Sequence, residues 1–343
     1  MSMVINGTSG ITFPDGSLQG IGVGRRNLII NGAMQVWQRG TSATGVTSTN
    51  FNTVDRFMAN YGGGSAAGTH SIERSTDVPS GFNYSIKITH SGASATPNEY
   101  AIRTFLEMQD VKHLIGNTAV FSFYYKSSRT GTHAYRFSHN SITGASSVNG
   151  TFTVTAADTW ERKEIVITQL ESATGTSTAD TSWGIHLDCG PRAYGGVSSF
   201  DDGDYFAVTG VQLEVGSVAT PFEHRSFGEE LALCERYFQY FPAGAFGRWN
   251  SSTSCELAAN FPVKMRSTPT LSINPNDAVC NLFRIGVAVN SSTVSSLNSA
   301  YMNNSGGVAI VNVSSTSSTP SAGNLAAYDP DSDSHVIFMD SEL

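Results

Sequence analysis

Two runs of aspartate have the spacing most suggestive of chemistry: Asp201, Asp202 and Asp204 in FDDGDYF, and Asp329, Asp331 and Asp333 in DPDSD. Closely spaced carboxylates supply the hard oxygen ligands that calcium prefers. The second run lacks the glycine at loop position six and the distal bidentate glutamate of an EF-hand. Solvated acidic turns explain both runs without a metal. Paired acids also cleave glycosides when held about 5 Å or about 6.5–9.5 Å apart across a sugar cleft, but nothing in the sequence fixes such a separation. No G-x-S-x-G elbow is present, and the histidines at 70, 90, 113, 133, 139, 186, 224 and 335 form no H-E-x-x-H pair. His224, inside the turn PFEHR, is read as satisfying local hydrogen bonds. No catalytic residue is expected.

Recognition remains. A sugar site needs flat aromatic rings beside groups that can bond hydroxyls. Trp183 and Tyr194 flank the glycine-rich run CGPRAYGGVSSF, and Trp249 sits in the polar run GRWNSST. These three are the candidate glycan contacts, with core packing as the alternative for each.

Composition narrows the classes further. The chain has 343 residues, room for about two domains. Only 14% of its residues are charged, against a usual share of about 25%. Disorder is excluded, because 19 Phe, 12 Tyr and 4 Trp supply ample core material. A net charge of −8 argues against a nucleic-acid partner, which needs a basic face to displace counterions. No run approaches the roughly 18 apolar residues of a membrane span. The start, MSMVINGTSG, lacks the basic and apolar regions of a signal peptide, so synthesis in a cytoplasm is expected. Cys189, Cys234, Cys255 and Cys280 match no zinc spacing and read as buried free thiols.

The elements that must position these residues are short strands between Gly, Ser and Asn turns. Ile11 to Phe13 is a short strand between turns, in a segment too small to bury a core alone. Strands are then expected at 85–89, 119–126, 136–139, 150–155, 164–168, 183–188 and 205–215. AVFSFYYK at 119–126 reads as buried on both sides, and Tyr205, Ala207, Thr209, Val211, Leu213 and Val215 as sharing one face. A set of about nine strands predicts a jelly-roll sandwich. Ser226 with Glu229 forms a capping box for a helix. Phe227, Leu231, Cys234, Phe238 and Phe241 follow in one stripe, and Pro242 stops it. That stripe suits either the axis of a trimer or packing against the helix's own β-domain. Residues 243–343 read as a second all-β unit, with strands expected at 256–262, 270–273, 282–289, 308–313 and 335–339.

Several phrases resemble one family. GTSGITFPDGS, then NGAMQVWQRG paired with a downstream DRF, then GVQLEVGSVATPFEHR, and the closing HVIFMDSEL are similar to elements of tail-fibre and other receptor-binding fibre proteins of tailed bacteriophages. Trp160, in DTWERKEIVI, is similar to a tryptophan of carbohydrate-binding modules. The resemblance implies an all-β virion protein, a homotrimer, in four parts. These are an attachment segment (1–24) docking on other virion proteins, a carbohydrate-binding-module-like jelly roll (25–222), a helical linker (223–242) and a β tip (243–343). It implies multivalent adhesion to surface polysaccharide or lipopolysaccharide of the host cell, without membrane insertion. A head decoration or baseplate protein without receptor binding is the rival, and a glycan-degrading tailspike a third. Jelly rolls of this kind often hold structural calcium, which makes Asp201, Asp202 and Asp204 its candidate ligands.

Overall fold

The computed structural model describes residues 4–6, 10–12, 18–19, 26–62, 68–92, 99–114, 117–141, 144–168, 183–192, 200–274, 279–284, 291–316, 325–329 and 337–342. Alternating side chains and frequent glycine turns give β-strands that pair antiparallel throughout these residues. The chain opens with a small meander of β1 (Val4–Asn6), β2 (Gly10–Thr12) and β3 (Leu18–Gln19).

Two sheets follow. The six-stranded sheet contains β4 (Ser42–Val46), β6 (Thr69–Ser75), β7 (Ser85–Ser91), β9 (Ala119–Ser127), β12 (Glu161–Ile167) and β14 (Tyr205–Val215), in the order β12-β9-β14-β7-β6-β4. The five-stranded sheet contains β5 (Phe57–Gly62), β8 (Glu99–Glu107), β10 (Gly131–Ser141), β11 (Gly144–Val154) and β13 (Trp183–Arg192), in the order β11-β10-β13-β8-β5. A one-turn helix, α1 (Met108–Val111), follows β8. The chain passes between the sheets at almost every connection, consistent with the expected jelly roll. Phe57, Ile72, Ile88, Ile102, Phe121, Phe123, Tyr125, Phe137, Phe206 and Leu213 fill one shared core.

One face assignment needs correction, and a second holds over part of its strand. In β14 the register slips between Thr209 and Gln212, and Gly210 adopts φ +62. This bulge moves the side chains after it to the opposite face. Val211 and Leu213 therefore join Phe206 and Val208 in the core, while Tyr205 and Thr209 lie on the other face, Thr209 buried there with its hydroxyl donating to Tyr84 O. In β9 the expected burial on both sides holds from Ala119 to Phe123, whereas farther along Tyr125 is buried and the outer-face Tyr124 and Lys126 are half-exposed.

The capping box is present: Glu229 N–H donates to the Ser226 hydroxyl, and the Glu229 carboxylate accepts from Ser226 N–H. The helix it starts, α2, spans only Phe227–Glu235. The expected stripe to Phe241 is therefore divided. Phe227 is 55% exposed, Leu231 half-buried and Cys234 buried. Phe238 belongs to strand β15 (Phe238–Tyr240), and Phe241 joins the C-terminal core, 5.6 Å from Tyr328. Beside Cys234, the helix buries Glu230 against its own sandwich, where Asn31 N–H and Arg225 donate to the carboxylate.

Beyond α2, β16 (Phe246–Trp249), β17 (Ser254–Asn260), β19 (Val279–Arg284), β20 (Ser291–Asn303), β21 (Gly306–Thr316) and β22 (Leu325–Asp329) close a six-stranded barrel. The last strand, β23 (Ile337–Asp340), lies between β15 and β18 (Thr270–Ile273). No helix among the described residues is long and apolar enough to cross a membrane. Cys189 and Cys234 are buried and free, Cys255 is buried, and burial pushes the thiols of Cys189 and Cys234 up. Cys280 falls in β19, where its side chain is outside the described part.

Three of the phrases that carried the family resemblance, with the Asn27–Ile29 stretch just before one of them, contribute to two polar welds. In the first, Asn27 Nδ2 donates to Val211 O and Asn27 Oδ1 accepts from Leu213 N–H, tying the start of the sandwich to its last strand. Glu223 accepts from Asn27 N–H at 2.7 Å, and Arg225 donates to Ile29 O and to Asn27 O. Gln212 and Glu214 accept from Glu223 N–H and Thr220 N–H. In the second, Arg39 and Arg56 meet the chain's end. Arg39 pairs with Asp55, Asp340 and Glu342, and Arg56 pairs with Glu342.

Candidate functional site

The outward face of the six-stranded sheet gathers aromatic rings around the Gly210 bulge. Strand alternation presents Tyr124 there, and the turn preceding β7 lays Phe82 across it, with ring centroids 5.4 Å apart. The turn after β14 adds Phe222, 5.1 Å from Phe82, and His224, 4.8 Å from Phe222. Phe82, Tyr124 and Phe222 are half-buried, and His224 is exposed. A Cβ at Gly210 would stand 2.7 Å from Phe82 and 2.8 Å from Tyr124. Gly210→Ala is thus expected to lower stability by roughly 1–3 kcal/mol, through left-handed strain and displacement of both rings. Thermal melting checks the stability loss, and near-ultraviolet circular dichroism checks the aromatic environment.

Polar groups border the rings. Arg162, opposite Tyr124 in the register, pairs with Glu164 at 2.9 Å and donates to Thr220 O. Farther along, Asp77 accepts from Lys126 at 2.6 Å and from Trp160 Nε1 at 3.0 Å. The Lys126 hydrogen bond holds the Asp77 carboxyl below the usual range. Lys87 lies 4.9 Å from the Tyr205 ring centroid and pairs with Glu73 at 2.9 Å. Burial and Asp158 push the Tyr205 phenol up. Such a face offers partly open apolar rings with polar groups, paired with one another, at their margins.

The residues singled out from sequence do not assemble into one site. Trp249 is fully buried in the barrel core, in a strand and not a polar loop, and cannot serve as a platform. Trp183 opens β13 with its backbone opposite Glu107, and its side chain is outside the described part. Tyr194 lies outside the described residues. Asp201 and Asp204 converge on the guanidinium of Arg129, and Asp202 accepts from Gly92 N–H at 2.9 Å. The first acidic run is thus occupied by a cation of the chain itself. Among the described residues no group of three or more His, Cys, Asp or Glu is placed to hold a metal ion. Asp331 and Asp333 lie outside the described residues.

Sequence reading missed Phe82, Tyr124 and Phe222. The available signal was the second aromatic parity in AVFSFYYK, where Tyr124 follows Phe123 and so must face away from it.

No family model matches the chain, and no curated protein matches it. Solved structures similar to it include the enzymatically active domain of a tailspike protein of bacteriophage CBA120. That match has 12% identity and a TM-score of 0.33, covering 56% of this chain and 22% of that one, so the chain spans about a fifth of its length. A family 22 carbohydrate-binding module of Clostridium thermocellum matches at 13% identity and a TM-score of 0.33, covering 54% of this chain and 100% of the module. A xylan-binding domain of Paenibacillus barcinonensis matches at 16% identity and a TM-score of 0.33, covering 47% of this chain and 92% of that domain. These likenesses are too distant to place the chain in any of those families.

Proposed function

We propose that this chain is a trimeric virion fibre protein of a tailed bacteriophage that adheres to glycans on the host cell surface, without turning them over. The observation that carries the glycan reading is the half-exposed cluster of Phe82, Tyr124 and Phe222, with exposed His224 at its edge. Rings left partly open above a sheet favour the apolar faces of sugar rings. The fibre assignment is supported by the four phrases of the family resemblance, three of which contribute residues to the two welds. Three modest sites on one trimer would combine through effective concentration into firm attachment.

The test measures retention of fluorescent protein on a panel of bacterial cells. The parent protein is expected to bind a subset of strains, and Phe82→Ala with Phe222→Ala to reduce binding about tenfold or more while the protein stays folded. Equal binding by the double variant would remove this face from the proposal. Retention on isolated phage capsids, with none on cells, would favour the decoration role. Sedimentation gives the oligomeric state, and a monomer would remove the trimer.

A further inference from the structure

The barrel carries an aromatic band of its own. In β16, Trp249 points into the core at 0% exposure, so alternation turns Phe246 and Arg248 outward. The register places Phe246 opposite Ala258, Ala258 opposite Val308, and Val308 opposite Tyr301. Directly opposed residues share a face. Phe246, Ala258, Val308 and Tyr301 therefore form one outward row across four neighbouring strands. Its ends are open, with Phe246 63% and Tyr301 65% exposed. Three interstrand steps separate those rings, about 14 Å along the wall. The next row holds Leu325, 57% exposed, and Ile310, around Arg248 and Glu256. Those two charges pair with each other at 3.1 Å, and Asn250 also donates to Glu256.

We infer that this band is a second glycan-contact site, taking a short uncharged oligosaccharide laid across the strands. The inference rests on the glycan reading above and adds the place and the ligand class. Small side chains between two exposed rings make a low apolar floor, and its length suits several linked sugars better than one. The cation beside the floor already has its carboxylate, so a uronate or phosphate gains no counter-charge here. A second protein fits less well. A stable interface takes roughly 800 Å² from each partner, and this band is one residue row wide, edged by an exposed ion pair.

The test uses the full chain, with Phe246→Ala and Tyr301→Ala made singly and together. Both side chains are exposed, so unchanged melting confirms that folding is retained. Retardation is read in native gels containing xylan, mixed-linkage β-glucan or galactan as uncharged probes, with polygalacturonate as the acidic one. The expected result is retardation by an uncharged polymer, weakened about tenfold in each variant and insensitive to salt. Oligosaccharide fragments should compete at least tenfold better than the monosaccharide. Retardation of the variants equal to the parent, with Phe82→Ala impaired, overturns this site and leaves the sandwich site standing. Stronger, salt-sensitive retardation by polygalacturonate overturns the uncharged class. A parent oligomer that the variants dissociate makes the band a self-association surface. Failure of every polymer to retard the parent, with no binding to cells, removes the glycan reading itself.

Discussion

Arg56→Ala is expected to melt about 10 °C below the parent protein, in the transition that separates the sandwich from the C-terminal unit. Arg56 is 1% exposed, its guanidinium carbon lies 3.4 Å from the Tyr237 ring centroid, one terminal nitrogen donates to Phe105 O, and the other terminal nitrogen pairs with Glu342. Removing one partner of a buried ion pair strands the other and typically costs about 3–5 kcal/mol. For large domains each kcal/mol moves melting by roughly 2–4 °C. The loss has a second route, because Glu342 also holds Arg39 at 3.2 Å, and Arg39 lies 3.9 Å from the Phe238 ring centroid. Arg56→Lys keeps the charge but not the planar stacking or the fork of donors, so it should fall between the two. Differential scanning calorimetry reads all three, and an Arg56→Ala melt matching the parent would show that the weld does not hold the units together.

Acid should act on the sandwich with comparable force. His70, His133 and His186 are 1%, 0% and 6% exposed, and all are held below the usual histidine range. Burial is the main cause at each, lowering His70 and His133 to about 4 and His186 to about 3. At His70 the opposing His90 adds to it, and at His186 the cations Arg103 and Arg136 do. The unfolded chain therefore binds protons near pH 6.5 that the folded chain refuses until about pH 4 or 3. Stability is fully present above pH 6.5 and falls as pH drops toward 4. Asp55 opposes this: burial pushes its carboxyl up to about 6, so its protonation favours the folded chain between about pH 6 and 4. Three histidines outweigh one aspartate, and the net loss between pH 7 and 4 is several kcal/mol. Urea unfolding across that range measures it, and His133→Phe should flatten the slope. A stability that is level from pH 7 to 4 would contradict the buried neutral histidines.

The local features of the fold were the readable ones. Ser226 and Glu229 announce the start of α2 because a capping box is contained within four residues. Its end was overread, because Phe238 and Phe241 continue a helical spacing while serving a strand and a separate core. β20 was invisible: SSTVSSLNSAYMN is mostly polar, and register shifts at Val294 and between Asn298 and Tyr301 break the two-residue period. Trp249 looked exposed because its neighbours in sequence are polar, yet it ends an inward-facing strand beside a tight turn. The acidic run at 201–204 looked free because its cation, Arg129, lies more than 70 positions away. Motifs such as DRF and WQRG were recognisable as phrases, but their role depends on Glu342, which no local pattern could bring to them. The candidate site draws Phe82, Tyr124 and Phe222 from three separate stretches, and Gly210 joins them through a bulge that alternation alone does not reveal.

Binding to bacterial cells before and after mild periodate oxidation of their surface sugars tests adhesion to glycans most directly. The account predicts that fluorescent protein stains a subset of strains and that oxidation abolishes the staining, while a protease treatment of the same cells leaves it intact. Staining that survives oxidation but is lost to protease would contradict it, and so would a folded protein that stains no strain at all.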